Sequence, residues 1–326
     1  MPLRIVFCGT SDFALPSLRH LVAQPDLQIV GVVTQPDRPR GRGQATGTPP
    51  VKDAALAAGL AVFQPQKIKS EEAFEYFQRV APDVVVIIAY GQIIPQRLID
   101  LPRLGWINLH GSLLPKYRGA APVHRAILGG ETRTGLTTMC IDAGLDTGPM
   151  LLTYETEIAP DETAPELYAR LAEAGAPLLA DTLRGIESGK LVSKPQDNSQ
   201  ATFAPPLKKE EGRVDWALPA QQIYNRIRAL QPWPGTFTSF RGKNCAIWGR
   251  PAELAPAKQS SGTTANSLAE LASPGTIAVQ RDNVLVACGA GSTLRIESVQ
   301  LEGRKRTTGR EFANGARLVP GDRFSD

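Results

Sequence analysis

A chain of 326 residues has room for two domains at roughly 100–200 residues each, and its 42% hydrophobic and 21% charged residues describe an ordinary soluble globular protein. No apolar run approaches the roughly 18 residues of a membrane helix, and a first strand starting at Leu3 leaves no room for a signal peptide. The formal net charge is +4 and unevenly spread, with 24 basic and 24 acidic residues in 1–240 against 12 and 8 in 241–326. A basic tail fits a polyanionic partner and fits a solvated surface equally well.

Leu3–Cys8 is a short apolar run ending in Gly9-Thr10, which predicts a strand and a turn. Ala14–Val22 has helical spacing with Asp12 as its N-cap, and Gln28–Val33 is a second strand. This β-α-β opening predicts a parallel sheet. Gly9-Thr-Ser-Asp-Phe-Ala14 has one glycine where a dinucleotide fingerprint has three, which argues against bound NAD.

Residues 36–50 hold three glycines, four prolines and no apolar side chain larger than alanine or proline, so they predict a long exposed loop. Arg38, Arg40 and Arg42 alternate there with small residues. Such a loop is either solvated surface or an arm that grips phosphates. Val51–Ala58 predicts a helix, Ala61–Phe63 a strand, and Ser70–Val80 a helix capped by Ser70. The β-branched run Val84–Ile88 predicts a strand buried on both faces, with Tyr90-Gly91-Gln92 at its carboxyl end. Ile94–Leu98 predicts a helical turn before the central strand Trp106–Leu109, at whose end His110 sits.

On that strand Asn108 and His110 fall two apart, so they share a face. Gly111 and a Pro/Gly-containing loop follow. Polar side chains at the carboxyl end of a buried strand are where open α/β sheets hold ligands. Thr137–Ile141 and Met150–Glu157 predict a hairpin at the sheet edge, flanking a turn that carries Asp146. An amide donor, an imidazole and a carboxylate suit acyl transfer. Taken singly, His110 reads equally as a satisfied core residue and Asp146 as a turn former. His124, early in a helix, reads as a surface or capping residue. Cys8, Cys140, Cys245 and Cys288 are widely separated, and with His20, His110 and His124 they show no metal-ligand spacing. The cysteines therefore read as buried thiols of a reducing cytosol, and a cytoplasmic, metal-free protein is expected.

A long helix opens at Asp161-Glu-Thr163 and runs to about Leu183, with Pro165 in its first turn. Ser188–Pro206 is polar and proline-containing, which predicts a linker. The expected domains are 1–188, a linker 189–207, and 208–326. In the last part, Leu218–Leu230 predicts a helix. Short strands follow at Thr236–Phe240, Asn244–Trp248, Thr276–Val279, Val284–Cys288 and Leu294–Leu301, with a Ser/Thr/Ala/Gly-rich insertion at Ala255–Asn266. A small antiparallel barrel of the OB-like kind is expected. Arg304, Lys305 and Arg306 form a basic cluster before a short helix near Glu311–Asn314.

The ordered set Asn108-Leu-His110-Gly-Ser112-Leu113-Leu114-Pro115, Tyr117-Arg-Gly-Ala-Ala-Pro122 and Gly144-Leu-Asp146-Thr-Gly-Pro149 closely resembles the folate-dependent formyltransferases. That resemblance implies a Rossmann-like, mostly parallel sheet with helices on both faces. It implies that Asn108, His110 and Asp146 are catalytic, and that Ser112–Pro115, with Tyr90 and Gly91 at the same rim, contact a 10-formyltetrahydrofolate cosubstrate. Leu230-Gln-Pro-Trp-Pro-Gly235, Leu301-Glu-Gly-Arg-Lys305 and Phe312-Ala-Asn-Gly315 look like the carboxyl-terminal domain of the methionyl-tRNA formyltransferases. That family also carries a Pro-Asp-Arg-Pro and Gly-Arg-Gly loop, matched at Pro36–Pro39 and Gly41–Gly43. After Gly43 the match breaks, since Gln44-Ala-Thr-Gly-Thr48 replaces a lysine-rich stretch and shifts the burden onto Arg40 and Arg42. The resemblance covers essentially the whole length.

What it implies is formyl transfer to methionyl-initiator tRNA by a monomer that uses no metal and touches no membrane, with Arg38, Arg40, Arg42, Arg304, Lys305 and Arg306 on the tRNA. An amino-sugar nucleotide formyltransferase or a formyltetrahydrofolate hydrolase would share the Asn/His/Asp set. A non-catalytic RNA-binding protein on the same scaffold is the alternative of a different class.

Overall fold

The computed structural model describes residues 1–40, 45–252, 273–280 and 283–325. The chain divides into two compact units. The first comprises 1–123, 133–158 and 166–205; the second comprises 124–132, 159–165 and 206–326.

The first unit is built on strands β1 (Leu3–Gly9), β2 (Leu27–Val33), β5 (Val62–Phe63), β6 (Val84–Ile88), β7 (Trp106–His110), β8 (Arg133–Cys140) and β9 (Met150–Glu157). They lie in the order β5-β2-β1-β6-β7-β8-β9. The strands from β5 to β7 pair in parallel, and β8 and β9 run antiparallel at the edge. The expected mostly parallel, Rossmann-like sheet is therefore present. Every residue of β6 is buried, as its unbroken β-branched run requires.

Helices cover both faces. Helix α3 (Glu71–Val80) presents Ala73, Tyr76 and Phe77, and α4 (Gln96–Ile99) presents Leu98, to a core shared with Val6, Val85 and Trp106. The Ser70 hydroxyl caps α3 by accepting from the Ala73 N–H at 3.3 Å. Helix α6 (Ala164–Glu187) covers the opposite face. A Cβ at its Gly175 would meet the end of the Leu109 side chain at 2.5 Å, so the glycine leaves room for that side chain between the helix and β7. Leu109 faces α6 while Trp106 faces α4, and the strand's alternation puts Asn108 and His110 on the Trp106 side.

Two expectations are revised here. Asp12 does not cap the first helix: it opens a 3-10 turn, Asp12–Ala14, before α1 (Leu15–Val22). The 36–50 stretch is not wholly irregular. Strands β3 (Arg38–Arg40) and β4 (Ala45–Gly47) pair antiparallel, and α2 begins at Pro50 and runs to Ala57. Residues 41–44, Arg42 among them, lie outside the described residues.

In the second unit, β10 (Phe237–Phe240), β11 (Lys243–Pro251), β12 (Ile277–Gln280), β13 (Asn283–Ala287), β14 (Thr293–Leu301) and β16 (Phe324–Ser325) lie in the order β12-β13-β14-β11-β10-β16, and β15 (Thr307–Thr308) pairs with β14. The ends of that order meet. Ile277 donates to the Asp322 carbonyl and Phe324 to the Gly275 carbonyl, each at 2.9 Å, which closes a small antiparallel barrel. Helices α7 (Ala220–Ala229) and α8 (Gly309–Ala316) bury Ile223, Ile227 and Phe312 in its core. The insertion expected at Ala255–Asn266 lies outside the described residues. Among the described residues no helix is long and apolar enough to cross a membrane.

Candidate active site

Strand β7 delivers Asn108 and His110 to the carboxyl end of the parallel strands, and the β8–β9 connection delivers Asp146. The Asn108 Nδ2 lies 3.5 Å from Asp146 Oδ1, and His110 Nδ1 lies 3.6 Å from Asp146 Oδ2. The three residues that the sequence set apart therefore converge. His110 is 5% exposed, so its ring sits in the wall of the site.

The second ring nitrogen has a fixed partner. His110 Nε2 lies 2.9 Å from the Tyr117 carbonyl. A carbonyl can only accept, so Nε2 carries a hydrogen. Nδ1 is thus the nitrogen turned toward the Asp146 carboxylate and the one left for chemistry. The carboxylate oxygen that faces His110 is itself held in place, since Asp146 Oδ2 also accepts from the Gly119 N–H at 2.8 Å. That contact needs close approach. Gly119 has φ +122, and a Cβ there would meet the Ala204 carbonyl oxygen at 2.8 Å.

The turn bearing Asp146 is strained at one point. Asp146 has φ +52, a left-handed conformation that costs a non-glycine residue on the order of 1 kcal/mol and persists when its surroundings enforce it. Asp142 shapes the turn from one end by accepting from Gly144 N–H at 3.0 Å and from the Thr147 hydroxyl at 2.6 Å. Gln196 shapes it from the other, since its Nε2 donates to the Asp146 and Gly148 carbonyls, both at 2.8 Å.

Ser112 and Leu114 are buried, and Leu113 and Pro115 half-buried. The Leu114–Pro115 bond is cis. Thr137, beside His110 in the β7–β8 register, locks this loop. Its hydroxyl donates to the Ser112 carbonyl at 2.8 Å and accepts from the Leu114 N–H at 3.1 Å. The Ser112 hydroxyl donates to the Lys116 carbonyl at 2.6 Å. Tyr90 differs in kind. Its side chain is 2% exposed and belongs to the α3 and α4 core, and burial pushes its phenol pKa up. What residues 90 and 91 present at the rim is backbone. The Tyr90 carbonyl accepts from Thr10 Oγ1 at 3.2 Å and from Gln35 Nε2 at 3.1 Å.

Of the basic candidates, Arg38 is exposed and donates to Gln35 Oε1 at 3.2 Å. The Arg40 side chain and all of Arg42 lie outside the described residues. Arg304, Lys305 and Arg306 are exposed in the second unit. Arg306 already has work there: its guanidinium lies 3.8 Å from the Trp248 ring centroid and donates to Ser298 Oγ at 2.7 Å. His124 is half-buried, and desolvation pushes its pKa down.

Local pattern gave no sign of residues 194–204. They were expected in a linker, yet they are knitted to the first unit. Arg118 N–H donates to the Thr202 carbonyl at 2.8 Å and Ala204 N–H to the Arg118 carbonyl at 2.7 Å. Their polar side chains, far from the site in sequence, leave no periodic signal.

Residues 3–183 match the family described as formyl transferase, and residues 206–317 match the formyl transferase C-terminal domain. The methionyl-tRNA formyltransferase of Solibacter usitatus is 52% identical over 325 residues, 99% of each chain. That of Geobacter sulfurreducens is 46% identical over 325 residues, 99% of this chain and 97% of its own. Among solved structures, the sugar 3N-formyl transferase WlaRD, in the presence of dTDP and 5-N-formyl-THF, superposes with TM-score 0.65 over 94% of this chain and 100% of that one, at 17% identity. HypX from Aquifex aeolicus in complex with tetrahydrofolic acid gives TM-score 0.59 over 97% of this chain and 48% of its own, at 16% identity. At these identities the two structures share the fold with this chain. The paired domains and the full-length identities agree: this chain belongs to the formyl transferase family, among the methionyl-tRNA formyltransferases.

Proposed function

We propose that the protein transfers the formyl group of 10-formyltetrahydrofolate to the α-amine of methionine on initiator tRNA. The observation that carries the chemistry is the convergence of Asn108 and His110 on Asp146, each within 3.6 Å of its carboxylate, at the carboxyl end of β7. The choice of acceptor rests on the full-length likeness to proteins named methionyl-tRNA formyltransferase.

The side chains suit an N-formyl donor. An amide, an imidazole and a carboxylate provide hydrogen-bond donors and a base. Cys140 pairs with Ile107 in the β7–β8 register and so shares that residue's face, away from Asn108. The cosubstrate supplies an activated one-carbon carbonyl. The Asn108 amide directs an N–H at the formyl oxygen, where negative charge grows as the amine attacks. One such preorganised donor is worth roughly 3 kcal/mol of transition-state stabilisation. The amine must lose a proton as its nitrogen is acylated, and the folate nitrogen must gain one as its bond to the formyl carbon breaks and tetrahydrofolate leaves. His110 Nδ1 and Asp146, within 3.6 Å of each other, form a pair that can take and relay it. The Tyr117 carbonyl fixes the ring so that Nδ1 faces the reaction. Ser112–Pro115, buried or half-buried and locked by Thr137, form the wall against which the folate would lie. Arg38, Arg40, Arg42, Arg304 and Lys305 would meet the phosphates of the tRNA.

The test is to supply 10-formyltetrahydrofolate with charged initiator Met-tRNA, with free methionine and with an amino-sugar nucleotide in parallel. Formyl on the tRNA alone supports the proposal. Formyl on the sugar but not the tRNA would reverse it.

A further inference from the structure

We propose that Gln196, locked in place by Arg118, is a positioning residue that holds the Asp146 turn in register with His110. The inference rests on the function proposed above, because it assigns Asp146 to the reaction.

Asp146 sits at φ +52, and a backbone in that region stays there only when its neighbours leave no relaxed alternative. The Gln196 carboxamide enforces it. One Nε2 carries two hydrogens and donates both, to the carbonyls of Asp146 and Gly148 at 2.8 Å each. It thus clamps the turn on both sides of Thr147. The carboxamide cannot rotate away, because its Oε1 accepts from Arg118 Nε at 3.1 Å and from Arg118 Nη2 at 2.7 Å. Arg118 is 4% exposed and donates again to Asn198 Oδ1 at 2.8 Å.

The connection closes on itself. Arg118 is followed by Gly119, whose N–H holds the Asp146 carboxylate, and preceded by Tyr117, whose carbonyl holds His110 Nε2. The main chain of Arg118 pairs with Thr202 and Ala204, and that of Met150 with Lys194, at 2.7 to 2.8 Å. One buried guanidinium therefore fixes the oxygen of the amide that sets the backbone of the acid, while its two chain neighbours set the carboxylate and the imidazole. Among the described residues, every partner of the guanidinium side chain is a neutral amide oxygen. A geometric duty explains a buried cation with neutral partners better than charge neutralisation does.

The test compares Gln196→Met and Gln196→Glu with the wild-type protein. Methionine keeps the length and removes both donated bonds. Glutamate keeps the acceptor facing Arg118 but sets a carboxylate oxygen against the two turn carbonyls, so both bonds to the turn become repulsions. A residue that merely satisfies Arg118 would be replaced by glutamate without loss. The positioning role predicts that both variants lose roughly 10- to 100-fold in kcat, with KM for folate and tRNA within about twofold, because small displacements of reacting groups cost rate rather than binding. A second readout needs no substrate. The chain has three histidines, so the ring nitrogens of His110 can be followed by NMR in 15N-histidine-labelled protein. Both variants should shift the His110 Nδ1 resonance and leave those of His20 unchanged. An unmoved His110 resonance in folded Gln196→Glu, or kcat within twofold of wild type, would overturn the inference. A shifted resonance in a protein that formylates no amine would leave the clamp standing and remove the function on which its catalytic meaning depends.

Discussion

His110 divides its two nitrogens between structure and chemistry. Nε2 is spent on the Tyr117 carbonyl at 2.9 Å, and Nδ1 looks at Asp146 across 3.6 Å. Replacing Asn108 or His110 with alanine should therefore lower kcat by about 10²–10³ while tRNA binding changes little, since each acts on charge or protons in the transition state. Single-turnover rates with filter-binding affinities measure the split, and a variant with near-normal turnover loses its place among the reacting groups. At this scale the sequence was legible where residues sit on one strand: a period of two put Asn108 and His110 on one face. It was silent about Gln196, which lies 50 residues from Asp146. Contacts made through carbonyl oxygens select no side-chain pattern at the other end.

Elements were legible where local chemistry and burial agree. The run Val84–Ile88 read as a doubly buried strand and is one, and the five short strands expected after residue 230 are present with boundaries moved by at most three residues. The β3–β4 pairing within 36–50 was missed because no apolar alternation marks that stretch. Its side chains instead bond polar neighbours at the sheet rim, with Lys52 Nζ 2.6 Å from Asp37 and Gln64 Nε2 2.8 Å from the same carboxylate. Helix α8 shows a local signal with a measurable worth. Thr308 Oγ1 accepts from the Glu311 N–H at 3.2 Å, and the Glu311 carboxylate accepts from the Thr308 N–H at 2.8 Å, a reciprocal cap. Thr308→Ala should destabilise the second unit by about 1 kcal/mol, read from urea unfolding followed by tryptophan fluorescence. Two bonds donated to its carboxylate by Thr308, the backbone N–H first and then the hydroxyl at 2.9 Å, hold the Glu311 carboxyl below its usual range. Its contribution is therefore present above the unfolded-state pKa of roughly 4.3 and fades as pH falls through the lower folded value, so the gap between wild type and Glu311→Gln should close in acid.

For the molecule as a whole, the excess of positive charge in 241–326 belongs to the second unit, and there the three clustered basic residues are not equivalent. Arg306 stacks on Trp248 and bonds Ser298, so its loss should lower stability. Lys305 is exposed. Lys305→Ala should weaken tRNA binding and flatten its salt dependence by about one unit of log–log slope, if one phosphate contact is lost. An unaltered slope would return that turn to solvated surface. The placement of residues 189–205 in the first unit also matters at this scale. A proline-bearing polar stretch looks like a tether in sequence, yet it supplies backbone partners to Arg118 and Met150.

Barrel closure at Gly275–Ile277 and Asp322–Phe324 makes the final few residues a keystone. Phe324 is fully buried, stacked 5.4 Å from Trp216, and its strand is the seam that spares β10 and β12 from being free edges. A protein clipped after Val319 should keep its first unit folded yet expose two unpaired strand margins and an emptied aromatic socket, and so precipitate where the full chain stays dispersed. Proteolytic trimming at this end would then act as an all-or-none loss of the barrel, with no graded fraying before it.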